Sequence, residues 1–239
     1  MIHVVGWIPT FPVKDEEGEY TVQIETPELR NDNPVANAML RLDRTKSNKL
    51  LGTAYAEYEL FDGLTYKLNL GSNIETGLRQ RYLPSTLYLQ KDLNGTAMLN
   101  NSETLDILIE NTLNYSKTFG VHSINGLLGY TRQKITSFSS FVETRDYATD
   151  AFTYNNLGAG AERTGANSNY TEEGLESYLF RVNYGLMDKY LFTASARLDG
   201  ASVFAKENKW GLFPSAAVAW RLDKEDFIDN LGVFDVLKV

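Results

Sequence analysis

The stretch Tyr190 to Leu222 reads YLFTASARLDGASVFAKENKWGLFPSAAVAWRL, and its apolar residues fall on every second position. Tyr190, Phe192, Ala194, Ala196 and Leu198 alternate with Thr193, Ser195, Arg197 and Asp199; after a connection bearing glycine, lysine and asparagine, the alternation resumes from Leu212. Successive side chains on a strand point to opposite faces, so this period predicts two strands, each with one apolar and one polar face. On the second strand Ala216, Val218 and Trp220 fall on the apolar face, with Ser215, Ala217, Ala219 and Arg221 on the other.

The same period recurs upstream. Leu64, Tyr66, Leu68 and Leu70 alternate with Thr65, Lys67 and Asn69, and Tyr178, Phe180, Val182 and Tyr184 alternate with Leu179, Arg181 and Asn183. From Leu105 to Ser116 the odd positions are mostly apolar, with Leu108 and Asn111 breaking the rule. Strands are predicted near residues 50–60, 64–76, 105–117, 121–135, 175–186, 189–199 and 211–222, and an eighth begins near 235–239. Residues 1–47 read as an extended extracellular loop region, with Pro9, Pro12, Pro27 and the acidic run Asp15 to Glu19. Within it Asn33 is placed to cap a short helix near 34–42, with Pro34 at its first position.

The connections alternate in length. Leu60-Phe61-Asp62-Gly63, Lys117-Thr118-Phe119-Gly120 and Leu186-Met187-Asp188-Lys189 are tight turns, the first with an Asp-Gly hairpin signal. Between them Gly77 to Thr104 and Thr136 to Gly174 read as long polar loops, the second too long for a compact soluble domain. Short turns on one side and long loops on the other are the rhythm of an outer-membrane barrel. Aromatic residues gather beside the short turns: Tyr58, Phe61, Tyr66, Tyr115, Phe119, Tyr184, Tyr190, Trp220 and Phe227. Rings at that level suit the headgroup boundary of a bilayer.

Composition narrows the function classes. The 239 residues contain no cysteine and only His3 and His122, which excludes disulfides and thiol catalysis and leaves little for a histidine metal site. A net charge of -8 without a basic cluster argues against nucleic acid. No apolar run approaches the ~18 residues of a transmembrane helix.

The run Tyr190 to Leu222 closely resembles the barrel of SusC/RagA-type TonB-linked outer-membrane transporters of Bacteroidota. The residues that carry the likeness are Arg197, Asp199, Gly200, Ser202, Phe204, Asn208, Trp210, Gly211, Phe213, Pro214 and Ser215. Upstream, NPVANAM, YAEYELFDGLTYKLNLG, LNYSKTFGVHSINGLLGY and ESYLFRVNYGLMDKY extend it in order from about Asn33. The resemblance implies an all-β fold: a partial antiparallel transmembrane β-barrel, about seven to eight strands of a 22-stranded barrel, with long extracellular loops. It further implies location in the cell outer membrane and import of an oligosaccharide or oligopeptide captured with a SusD-like surface lipoprotein. TonB would be engaged through parts this chain does not contain, and the chain is expected to be an internal piece of a longer product.

No catalytic residue, metal site or cofactor is expected. Gly158-Ala159-Gly160 lacks the third glycine and preceding strand of a phosphate-binding motif, and Asp15 to Glu19 lacks calcium-loop spacing. Tyr147, Phe152, Tyr154 and Tyr170 are the candidate substrate contacts: loop aromatics that either stack on sugar rings or pack the loop on itself. Two other readings use the same strands. A small passive barrel or pore would need the last strand completed and paired with the first, and a soluble sugar-binding β-sandwich would leave too many outward aromatics in water.

Overall fold

The computed structural model describes residues 7–8, 10–24, 30–231 and 233–239; His3, Pro9 and Pro27 lie outside the described residues. Seven strands form one antiparallel sheet in strict sequence order: β3 (Leu42–Phe61), β4 (Leu64–Leu83), β5 (Thr96–Phe119), β6 (His122–Tyr147), β7 (Gly160–Leu186), β8 (Tyr190–Ala201) and β9 (Trp210–Trp220). Before them β1 (Gln23–Ile24) and β2 (Arg30–Asn31) make a two-stranded pair. Helix α1 (Pro34–Leu40) follows, and the Asn33 side chain accepts from the Val35 amide at 2.9 Å as predicted.

The strands are longer than the period-two pattern indicates. β3 starts at Leu42 rather than near 50, and β5, β6 and β7 run for 24, 26 and 27 residues. Most of the two predicted long loops is therefore paired backbone, and only residues 84–95 and 148–159 lie outside strands there. The physical reason is that neither face of these extensions is apolar throughout. Cross-strand polar pairs such as Arg145 to Glu162 at 2.7 Å and Thr164 to Glu143 at 2.7 Å hold them without printing an alternation.

The chain divides into two compact units. One comprises Met1–Lys49, Glu75–Glu103 and Ser137–Tyr170. Its small core is a buried cluster of Tyr82, Ala97 and Tyr147, with Tyr154, Leu157 and Ala159 packed against it. Asp150 is fastened there by the Tyr82 hydroxyl at 2.6 Å and by the Ser85 amide and hydroxyl at 3.1 and 2.8 Å.

The other unit comprises Leu50–Ile74, Thr104–Thr136 and Thr171–Val239 and holds the short turns. Gly63 adopts φ 84°, and a side chain there would collide with the Ser116 carbonyl, so the first turn needs glycine. Met187 and Asp188 both adopt positive φ, 55° and 56°, the geometry of a two-residue hairpin turn. After β9 come a 3-10 turn (Leu222–Lys224) and the one-turn helix α2 (Asp226–Asp229). The predicted eighth strand over 235–239 is a single bridge, Arg221 to Lys238, with Trp220 and Val239 exchanging backbone bonds of 2.8 and 3.0 Å.

Among the described residues the buried apolar side chains are Ala36, Tyr82, Pro84, Leu87, Ala97 and Tyr147, and all six belong to the first unit. The wall strands have no core of their own. Phe180, Phe192, Leu212 and Val218 stand between 43% and 71% exposed. A face of that kind is stable against hydrocarbon and not against water.

Candidate functional site: the two faces of the barrel wall

The register of β7, β8 and β9 places the residues of each predicted face together. Tyr184 pairs with Phe192 and Phe192 with Val218; Val182 pairs with Ala194 and Ala194 with Ala216. On the opposite face Asn183 pairs with Thr193 and Thr193 with Ala217, while Arg181, Ser195 and Ser215 form the next rung.

Two rows of rings bound the apolar face. Near the short turns Phe119, His122, Tyr184 and Phe192 stack in sequence across the strands, with centroids 5.5 to 6.1 Å apart. His122 is thus a strand histidine, its Nδ1 2.7 Å from the Tyr184 hydroxyl. Tyr190 and Trp220 stack beside them at 6.1 Å. A second row, away from the short turns, joins Tyr130, Tyr178 and Trp210 at 5.2 and 6.0 Å. Trp210 and Trp220 share a face at the two ends of β9. Ten residues at about 3.3 Å, tilted about 40°, give a height of roughly 25 Å, the thickness of the apolar band of an outer-membrane barrel. Between the rows β7, β8 and β9 present Phe180, Val182, Ala194, Ala196, Leu198, Leu212, Pro214, Ala216 and Val218 and no charge on this face. Beyond the second row charge returns at once: Glu176 accepts from Tyr130 at 2.7 Å, and Lys134 pairs with Glu172 at 3.0 Å.

The other face carries a ladder of amides and hydroxyls. Asn125 donates to Asn114 at 3.1 Å, Asn183 to Asn125 at 3.3 Å and Thr193 to Asn183 at 2.9 Å, linking four strands. Further along, Asn69 donates to Glu110 at 2.9 Å, and the Gln133 amide reaches both Asp106 oxygens at 2.9 Å. Such a surface suits a water-filled or protein-filled lumen.

The residues that carry the family likeness build the β8–β9 hairpin. Arg197 donates to Asp199 at 2.7 Å and to Ser177 at 3.4 Å. Gly200 faces Trp210, whose ring would lie 2.8 Å from any added Cβ, so the indole of the outer row rests on bare backbone. Ser202 is tied to Gly174 by a backbone bond of 2.8 Å and accepts from the Gly174 amide through its hydroxyl at 2.8 Å. Asn208 closes the 3-10 turn Lys206–Asn208 by donating its amide to Ala205 at 2.9 Å, and the Phe213 ring lies close over Gly211. Phe204 is exposed in the connection, while Pro214 and Ser215 sit opposite Ala196 and Ser195.

The four loop aromatics do not form one surface. Tyr147 is only 5% exposed, edge-on to Tyr82 at 5.7 Å, and Tyr154 packs on the same cluster, so these two serve the loop's own packing. Phe152 and Tyr170 are exposed at 45% and 61%. At the short-turn end Glu225 accepts from Lys189 at 3.0 Å, Tyr190 at 3.1 Å and Trp220 at 3.1 Å. Lys189 first, then Trp220, holds its carboxyl below the usual range. Asp223, buried beside it, is held low by the Arg221 guanidinium at 2.7 Å.

The family described as TonB dependent receptor-like, beta-barrel, matches residues 11–234. TonB-dependent receptor P3 of Formosa agariphila is 36% identical over 230 residues, covering 96% of this chain and 23% of the relative. TonB-dependent receptor SusC of Bacteroides thetaiotaomicron is 27% identical over 223 residues, 92% of this chain and 21% of SusC. Among solved structures, that of the RagAB peptide transporter superposes with a TM-score of 0.77 at 18% identity, over 89% of this chain and 24% of that one. The chain thus spans about a quarter of the length of the relatives it matches. With its lipid-suited face, its polar inner ladder and its open seven-stranded sheet, the chain belongs to the TonB-dependent receptor β-barrel family and is a wall segment of an outer-membrane barrel.

Proposed function

We propose that this chain forms part of the wall of a TonB-dependent importer that takes up oligosaccharides or oligopeptides together with a SusD-like surface lipoprotein. The observation that supports it most is the division of the wall: an uncharged face bounded by two aromatic rows whose outermost rings, Trp210 and Trp220, lie about 25 Å apart, backed by the Asn114-Asn125-Asn183-Thr193 ladder. The likeness to SusC and to the RagAB peptide transporter favours import with a lipoprotein partner over a passive pore. Glycan and peptide are both compatible with the exposed Phe152 and Tyr170 rings. The wall does no chemistry; it guides cargo past whatever fills the barrel, and coupling to TonB lies in parts of the longer protein.

Uptake of labelled oligosaccharide and oligopeptide mixtures by cells carrying the full-length parent tests this reading. Import should stop when an uncoupler collapses the inner-membrane proton gradient, and a surface lipoprotein should co-purify with the barrel. Uptake that persists with the gradient collapsed would instead identify a passive pore.

A further inference from the structure

At the start of β3 and the end of β4, one carboxylate is surrounded by three guanidinium groups. Asp43 accepts from Arg41 Nη2 at 2.8 Å and from Arg79 through a two-point fork, Nε at 2.9 Å and Nη2 at 2.8 Å. Arg81 Nε stands 3.6 Å away, in ion-pair range but beyond a hydrogen bond. All four residues lie in the same compact unit. Arg79 and Arg81 are two apart on one strand, so the hairpin presents them on one face beside Asp43.

The charges do not balance. Three cations face Asp43, and even counting Glu143, whose carboxylate already accepts from Thr164 at 2.7 Å, one positive charge is left over. Nor are the donors satisfied: the Nε atoms of Arg41 and Arg81 are shut off from water with no hydrogen-bond partner. Among the described residues the Arg81 side chain makes an ion-pair contact to Asp43 but no hydrogen bond. A buried guanidinium N–H without an acceptor is costly and rare, and an unfilled ion site is a standard reason for it. The cluster remains open to a ligand, with side chains 25% to 46% exposed.

We propose that Arg41, Arg79 and Arg81, organised by Asp43, form a binding site for an oxyanion group, a carboxylate, sulfate or phosphate, carried by a solute. Guanidinium forks match the paired oxygens of these groups, and converging forks bind them where a single lysine would not. Naming that solute as cargo rests on the transport reading above; the anion site itself does not.

The test uses the full-length parent, purified in detergent, and follows its unfolding temperature against sodium sulfate or sodium glucuronate at ionic strength held constant with sodium chloride. Sulfate stabilises many proteins non-specifically, so the variants decide. The parent should show a saturable rise. Arg81→Gln should weaken it about tenfold or more, the loss expected for one charged hydrogen-bonding partner. If Arg81→Gln does not fold, Arg41→Gln, just after α1, removes the other unpartnered Nε and should give the same loss. A rise that is linear, is matched by chloride, or is unchanged by the arginine variants overturns the site. Displacement of sulfate by added lipopolysaccharide, with no response to glucuronate, overturns a solute ligand in favour of a lipid phosphate. The uptake assay separates the two claims: anion binding without gradient-dependent uptake sinks the transport reading alone, and uptake without saturable anion binding sinks this site alone.

Discussion

Ala216 and Ala217 are identical in type and adjacent on β9, and the register sends them to opposite faces: Ala216 lies opposite Ala194 between the two ring rows, Ala217 opposite Thr193 at the end of the amide ladder. Ala216 stands six residues from Trp210 and four from Trp220, near the middle of the uncharged band. An arginine there must carry its guanidinium into hydrocarbon at a cost of about 2 to 4 kcal/mol. At 1.4 kcal/mol per decade this is roughly a 30- to 700-fold shift of the folding equilibrium. Ala217→Arg meets Thr193 and Asn183 in a polar setting and should cost less than about 1 kcal/mol. Ser195 is a poorer probe of the inner face, because Arg181 lies directly opposite and would repel a new cation. The assay is urea unfolding of the full-length parent in lipid vesicles, with heat-modifiable mobility on gels as a second readout. Equal losses at the two alanines, or loss only at Ala217, would falsify the assignment of faces and with it the lipid-facing wall.

Three further outcomes are expected. A cysteine at Asn155, in the segment between β6 and β7, should react with an impermeant maleimide on intact cells expressing the parent, whereas cysteines at the exposed turn residues Asp62 and Asp188 should not; the reverse pattern inverts the topology. Glu225 and Asp223 are held below the ordinary carboxylate range, so their contribution is complete above that range and disappears as pH falls through their lowered values. The unfolding temperature of the parent should therefore stay level down to about pH 5 and decline below about pH 4, and Glu225→Gln should flatten part of that decline. Tyr82→Phe removes the 2.6 Å donor to Asp150 and should cost about 1 to 3 kcal/mol, seen as faster protease cleavage within 148–159 while the band is unchanged.

The wall was legible in the sequence because one of its faces must be apolar. Phe192, Ala194 and Ala196 repeat with the pleat, and the register confirms that they share a face with Val182 and Ala216. The extended ends of β5, β6 and β7 were not legible, since residues such as Glu143, Arg145, Glu162 and Thr164 hold them by polar pairs across strands and leave no period. Polar composition reads as loop whether or not the backbone is paired. Tyr147 went the other way: on a loop reading it was a candidate for contact with sugar, yet it is buried against Tyr82, a neighbour 65 positions away that no local pattern can supply. The arginine cluster was hidden for the same reason. The spacing of Arg79 and Arg81 marks a shared face, but Asp43 joins them only through hairpin register.

The neighbour-to-neighbour order of the seven strands carries a consequence for assembly. Because every strand pairs only with those before and after it, position along the chain and position around the wall are the same coordinate. No strand pairing has to wait for a distant partner, so the ladder can grow one hairpin at a time at a small loop-closure cost per step. At each stage the last strand offers its free backbone edge as the template for the next, as Trp220 already does for Val239. The same order makes the wall extensible: a hairpin inserted between two others changes the circumference and adds one more rung, without disturbing any pairing other than the one it enters.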